Sequence, residues 1–307
     1  MIKKAAEIIK QGGLVAFPTE TVYGLGADAS NQEACLKIYK AKGRPSHNPL
    51  IVHVSTLDQA MELAEFNEDA LKLADLWPGP LSIVLPKKKD ANVADCITAG
   101  LDTIAIRMPF HSVALELINI SGCAIAAPSA NKSGRLSATS AEHVKTNFGS
   151  EIFTLDGKAN CNIGLESTII DLSTNDPTIL RHGFFTLEIF EKLLNKKIKV
   201  ADKDSKIKAP GMLLKHYAPT TNIRLEAIFL QKDEIGLNFG NSALDSSYSV
   251  NLSTKSDLLE AALNLYNFLH VLDNFCIKNN IKTIAIAPIP HIGIGIAIND
   301  RLIRAAS

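Results

Sequence analysis

Over the first 200 residues, short apolar runs alternate with stretches of helical periodicity. The runs LVAFP (14–18), LIVHV (50–54), LSIVLP (81–86), TIAIRMP (103–109), CAIAAP (123–128), STIIDL (167–172) and TILR (178–181) read as buried strands. Residues 31–41, 57–65, 67–76, 111–120, 139–147 and 186–194 carry the spacing of amphipathic helices. The opening MIKKAAEIIKQGGLVAF predicts an amphipathic helix followed by a strand. It has no long apolar core or small-residue cleavage site of a signal peptide.

The pattern then breaks. KKIKVADKDSKIK (196–208) and APGMLLKHYAP (209–219) read as a connection, because lysine runs and Pro-Gly punctuation make poor core. Beyond it, strands are expected near 223–230, 234–239 and 247–252, a long helix over 256–279, a strand over 283–290 and a helix near 295–305. The expected organisation is a catalytic α/β unit over 1–200, a linker or lid over 201–221, and a small α/β unit over 222–307.

Composition narrows the class. The chain of 307 residues is 46% apolar with zero formal net charge, so no global basic field points to a dedicated nucleic-acid binder. No apolar run is long enough to span a membrane, and a cytoplasmic location is expected. The five cysteines sit at wide, irregular spacings without a CxxC, which indicates neither a disulfide framework nor a zinc site.

The candidate chemistry gathers where strands end. AFPTETVYGLG (16–26) follows a strand with Thr19, Thr21 and two glycines. KGRPSHNPLIVHV (42–54) sets Lys42, Arg44 and Asn48 in a proline-stiffened loop before a strand carrying His53. TIAIRMP puts Arg107 among apolar residues, where an arginine needs either a structural ion pair or an anionic ligand. CAIAAPSANKSGRLSATSAEHV (123–144) supplies Ser129, Asn131, Ser137 and Thr139, the last as cap of the following helix. GLESTIIDL (164–172) brings Ser167, and TILRHG (178–183) brings Arg181. There is no GxSxG, P-loop, GxGxxG or HExxH. A site of arginines and hydroxyls remains, suited to binding anions and transferring a phosphoryl or nucleotidyl group.

PTETVYGLG, KGRPSHNPLIVHV, WPGPLSIVLP, IAIRMP, APSANKSGRLSAT and GLESTIIDL, in that order, closely resemble the Sua5/YrdC/YciO family. APGMLLKHYAP and GIGIAINDRLIRAA resemble the linker and C-terminal domain of the longer Sua5 type. The resemblance implies a YrdC-like twisted open sheet with a large concave cavity, plus a small Rossmann-like C-terminal domain. It implies threonylcarbamoyl-AMP synthesis from L-threonine, bicarbonate and ATP, with Mg2+ accompanying ATP. The product would pass to the tRNA threonylcarbamoyl-transfer machinery for the modified adenosine beside the anticodon of tRNAs reading ANN codons; direct tRNA contact is left undecided by the sequence.

Joined to the residue reading, the resemblance implies that L-threonine meets Thr21, His53, Arg107, Ala127 and Ser167. ATP would meet Lys42, Arg44, Asn48, Thr103, Ser129, Asn131, Ser137 and Arg181, with His216 and Tyr217 reaching in from the lid. No residue is expected to act beyond positioning substrates, and no metal ligand is assigned. The alternatives are a YciO-like paralogue with little synthase activity and an RNA-binding module. A carbamoyl-transferring maturation protein sharing the domain would carry cysteine pairs, which are absent from this sequence.

Overall fold

A computed structural model describes residues 1–156, 161–202, 209–210, 216–246 and 248–307. The first unit contains α1 (Ile2–Lys10), β1 (Val15–Phe17), β2 (Gly24–Asp28), α2 (Gln32–Lys42), β3 (Ile51–His53), α3 (Leu57–Leu63), α4 (Glu68–Ala74), β4 (Leu81–Pro86) and α5 (Asp95–Thr98). It continues through β5 (Thr103–Arg107), α6 (Ser112–Ser121), β6 (Ile125–Ala126), α7 (Ala141–Phe148), β7 (Phe153–Thr154), β8 (Thr168–Asp171), β9 (Thr178–Arg181), α8 (Leu187–Leu194) and β10 (Lys199–Val200). The second unit holds β11 (Asn222–Arg224), β12 (Glu234–Asn238), β13 (Val250–Asn251), α9 (Leu258–Asn279), β14 (Thr283–Ile286) and α10 (Gly295–Ala305).

The strands of the first unit form one mixed ten-stranded sheet, ordered β10-β9-β8-β4-β5-β3-β6-β2-β1-β7. The central strand β4 is buried from Leu81 to Leu85, as expected of a strand covered on both faces. On one face the helices build the main core around Ile38, Leu73, Ile83, Ile106 and Ile170. On the other, α1 and α6 pack over Phe17 and Ile125 toward one edge, and beside them lies a small apolar group: Ile51, Val84, Ala105, Ile169, Leu180 and Ala209. Side chains two apart share a face. His53 therefore joins Ile51, Arg107 joins Ala105, and Ser167 sits on the side of Ile169. The apolar member of each pair closes this face, and the polar member opens a cavity beside it.

The second unit is a parallel sheet, β11-β14-β12-β13, packed on α9 and α10. Its core extends into the first unit, because Val22, Leu136 and Leu165 pack within it. Gly164 marks the closest approach. Its φ is +77°, and a Cβ there would lie 2.6 Å from the Ala262 carbonyl oxygen and the Leu263 Cα on α9.

Several local expectations are corrected. Residues 24–28, which were not among the expected strands, form one. Gly24 and Gly26 are small because β1 and β6 press on them: a Cβ at Gly26 would lie 2.7 Å from both Phe17 and Ile125. The lysine-rich stretch read as connection from residue 196 contains β10, which pairs with β9. Helix α7 is capped by Ser140, whose hydroxyl accepts from the His143 N–H, and not by Thr139. In the stretch 209–219, Met212, Leu213, Leu214 and Lys215 lie outside the described residues.

Candidate active site

Nine stretches of chain converge on a cavity with about 510 Å³ of space free of atoms, the solvent at its mouth included. Pro210, His216 and Tyr217 line it together with residues of the first unit. The turn after β1 contributes Thr19 and Thr21. Thr19 Oγ1 donates to the Val22 carbonyl at 2.7 Å and pairs with Thr21 Oγ1 at 2.9 Å, which fixes both hydroxyls.

Helix α2 ends at Gly43, whose φ of +62° turns the chain into the loop 44–49. Arg44 folds back on this loop, donating from Nε to Asn48 O at 3.1 Å and from Nη2 to Pro49 O at 2.8 Å. Burial holds its pKa down at about 10. Lys42 is buried beneath the loop. Its ammonium donates to Ser129 O at 2.6 Å and to Asn131 O, and burial pulls its pKa well below the usual lysine value.

On adjacent strands, His53 is in register with Arg107. Burial, reinforced by the Arg107 charge, pushes the His53 pKa to about 3, so the imidazole is neutral at physiological pH. Arg107 Nη2 lies 2.7 Å from Glu20 Oε1, with both side chains almost wholly buried. The pair balances charge without meeting hydrogen-bond geometry. Glu20 Oε1 and Oε2 and Arg107 Nε and Nη2 have no hydrogen-bond partner among the described residues beyond that ion pair. Arg181 donates to Ser167 O at 3.0 Å, Ser167 Oγ at 3.1 Å and Pro210 O at 3.3 Å. Ser167 also shares a 2.8 Å hydroxyl contact with Ser82.

The fold thus brings Thr21, Arg44, His53, Arg107, Ala127, Ser129, Arg181, His216 and Tyr217 to one cavity. The N–H of Ala127 is engaged by Ile51 O, so a ligand contact from its backbone would use the carbonyl. Asn48 is buried nearby with both amide atoms unpartnered, and Asn131 has an unpartnered Oδ1. Ser137 and Ser167 stand one layer behind the wall, their hydroxyls already bonded. Thr103 shares a face with Arg107 but lies four residues down the strand, about 13 Å away, and does not line the cavity.

Two residues that line or underlie the site escaped the sequence reading: Glu20 and Glu166. The only signal was indirect: other motifs supply buried arginines, which need counter-charges, and nothing in the sequence pairs these two carboxylates with them.

Tyr217 and His216 enter from beyond the described part of the connection. Tyr217 has φ +63°, a strained value for a non-glycine residue, which turns its buried ring inward. The Tyr217 hydroxyl and His216 Nδ1 have no partner among the described residues. Burial pushes the His216 pKa to about 3.

Comparison with known proteins agrees with this geometry. Residues 7–183 match the Sua5/YciO/YrdC family, described as "Telomere recombination". Residues 185–307 match the family described as "Threonylcarbamoyl-AMP synthase, C-terminal domain". The threonylcarbamoyl-AMP synthase of Pyrococcus abyssi is 40% identical over 324 residues, covering 99% of this chain and 94% of that protein. The Bacillus subtilis threonylcarbamoyl-AMP synthase is 38% identical over 326 residues, covering 99% and 92%. The crystal structure of P. abyssi Sua5 complexed with L-threonine superposes with a TM-score of 0.90 at 39% identity, covering 99% of this chain and 94% of that one. The chain therefore belongs to the Sua5/YciO/YrdC family, in its two-domain Sua5 form.

Proposed function

We propose that this chain is an L-threonylcarbamoyladenylate synthase, a nucleotidyltransferase that converts L-threonine, bicarbonate and ATP into threonylcarbamoyl-AMP, pyrophosphate and water. The observation that carries the reading is full-length similarity to synthases of that name, on a fold whose cavity gathers three arginines and several unpaired polar groups. In this reaction the threonine amine adds to the one-carbon unit to form an N-carboxylate. One of its oxygens bonds to the α-phosphorus, and the bond to pyrophosphate breaks. Two anions must approach each other, so fixed cations supply most of the help.

Arg107 receives the threonine carboxylate through donors that Glu20 leaves unmet. Neutral His53, Thr21 and the Ala127 carbonyl complete that pocket, with Ser167 behind it. Arg44, Asn48 and Arg181 face the triphosphate, while Lys42 braces the loop 129–131 from below. His216 and Tyr217 close over the nucleotide, which keeps water from the mixed anhydride.

Mg2+ arrives with ATP. No group of three His, Cys, Asp or Glu forms a metal cluster among the described residues, and Glu20 and Glu166 both face arginines. This donor set fits an ion carried by phosphate oxygens. A cytoplasmic site of action and delivery of the product to a tRNA-modifying transferase follow from the same reading. Among the described residues no helix is long and apolar enough to cross a membrane.

The test is pyrophosphate release by the purified protein with Mg2+-ATP. Release is expected only when L-threonine and bicarbonate are both present. Equal release without threonine would defeat the synthase reading, and little release under any condition would favour a YciO-like paralogue.

A further inference from the structure

The wall of the cavity is backed by the second unit. Glu166, just before β8, lines the cavity and is buried. Its carboxylate is held from three directions. Arg301 on α10 donates from Nε to Oε2 at 2.8 Å. Tyr266 on α9 reaches both oxygens with its hydroxyl, at 3.1 and 3.0 Å. Ser137 donates to Oε1 at 2.5 Å. The guanidinium of Arg301 donates also to His182 O at 2.9 Å and to Asp300 at 2.7 Å, and Asp300 accepts in turn from Arg304 Nε at 2.9 Å.

Two further contacts link this cluster to the cavity. The Arg301 guanidinium lies over the Tyr217 ring, 5.1 Å from its centroid, and the Tyr266 ring lies 6.0 Å from the same ring. Ser137 is held at its other end as well, by a 3.1 Å contact between its carbonyl and His270 Nε2 on α9. A residue with strained backbone and an unpartnered hydroxyl, Tyr217, thus rests on an arginine supplied by the other unit.

We infer that Arg301 and Tyr266 are positioning residues for the nucleotide side of the cavity: through Glu166 they fix Ser137, and by direct ring contact they seat Tyr217. The inference rests on the synthase reading above and gives the second unit a definite part in it. Burial alone would raise the Glu166 pKa. Arg301, Arg181 and the Ser137 hydroxyl outweigh burial and hold it down at about 2, so the carboxylate stays charged at working pH. Arg181 is held separately, by the Ser167 carbonyl and hydroxyl and the Pro210 carbonyl. A cluster that served stability alone would not need to border the cavity or carry Tyr217.

Tyr266→Phe tests this with little risk to folding, since it removes one hydroxyl and keeps the ring. The expected result is a rise of at least fivefold in KM for ATP and in the ATP Kd read by calorimetry, with the L-threonine Kd unchanged within twofold. A second variant, Arg301→Met with Glu166→Gln, removes the ion pair without stranding a buried charge. It is expected to unfold in one cooperative transition, with KM for ATP raised at least tenfold. Native ATP affinity and KM in both variants, with only the melting temperature altered, would overturn the inference. The unmodified protein is the control: silence there would strike the synthase reading, whereas the calorimetric ATP affinity still reads the positioning role.

Discussion

Two buried polar clusters lie side by side in this molecule and are treated in opposite ways. At the contact between the units, Glu166, Arg301, Tyr266 and Ser137 all find partners. In and beside the adjoining cavity, Asn48, His53 Nδ1, Arg107 Nε, His216 Nδ1 and the Tyr217 hydroxyl find no hydrogen-bond partner among the described residues. An unmet buried polar group costs roughly 1–3 kcal/mol, so several together are a standing strain on the fold. Such a cluster persists where a ligand supplies the missing partners. The satisfied cluster acts on structure and position; the unsatisfied one marks where substrate goes.

The sharpest way to break this contrast is at Arg107, which belongs to both kinds of chemistry. Arg107→Ala is expected to weaken L-threonine binding by roughly 2–4 kcal/mol, about thirtyfold to a thousandfold. It also strands Glu20, and breaking a buried pair costs about 3–5 kcal/mol of stability. Arg107→Met with Glu20→Gln separates the two effects. Its melting temperature should recover while threonine binding, read by calorimetry, stays lost. Recovery of binding along with stability would make Arg107 a structural ion pair only.

A smaller effect is expected at Arg44, whose contacts run to backbone carbonyls of its own loop. Arg44→Ala should weaken ATP binding roughly tenfold or somewhat more, the scale of a charge-assisted hydrogen bond, and leave threonine affinity unchanged. Normal ATP affinity would make the loop 44–49 a surface turn with an internal brace.

The contrast also explains what the sequence made legible. Strands such as LSIVLP announce themselves because both faces are buried and every position is apolar. The strand Gly24–Asp28 did not, because packing against Phe17 and Ile125 demands glycine where a strand would show a branched residue. The two-residue edge strands at 153–154 and 199–200 are too short and too exposed to leave a pattern. The expected strands 223–230 and 283–290 end early, at Arg224 and Ile286. Glu226 takes φ +52° just beyond the first, and Pro288 and Pro290 follow the second. The cavity's arginines and hydroxyls were legible because they interrupt apolar runs. Glu20, Glu166, Tyr266 and Arg301 were not, since each makes sense only once another element is folded against it. Removing the second unit would uncover Val22, Leu136 and Leu165.

The mildest effect expected is on pH dependence, and it probes the satisfied side. His143 on α7 and His270 on α9 stack across the contact between the units, with centroids 3.9 Å apart and planes 22° from parallel. Burial, then the neighbouring imidazole, pushes the His143 pKa to about 3; burial lowers that of His270 as well. Below pH of about 6.5, the unfolded chain binds protons that the folded pair refuses, so stability falls as pH falls. The low pKa of Glu166 adds to this loss only below the ordinary carboxylate range near 4.3, so between pH 7.5 and 5 the histidines set the slope. A histidine kept neutral through that interval contributes at most about 2 kcal/mol of the loss. The melting temperature should therefore drop by several degrees from pH 7.5 to 5, and His143→Asn should make the drop shallower. His53 and His216 in the cavity are also held neutral, with pKa values of about 3, so part of the slope survives that substitution. That remainder should change when ATP and L-threonine are bound, since ligands then partner those two rings, whereas the His143 share should not. An unchanged slope in His143→Asn would show that the stacked pair takes up protons freely without parting the two units.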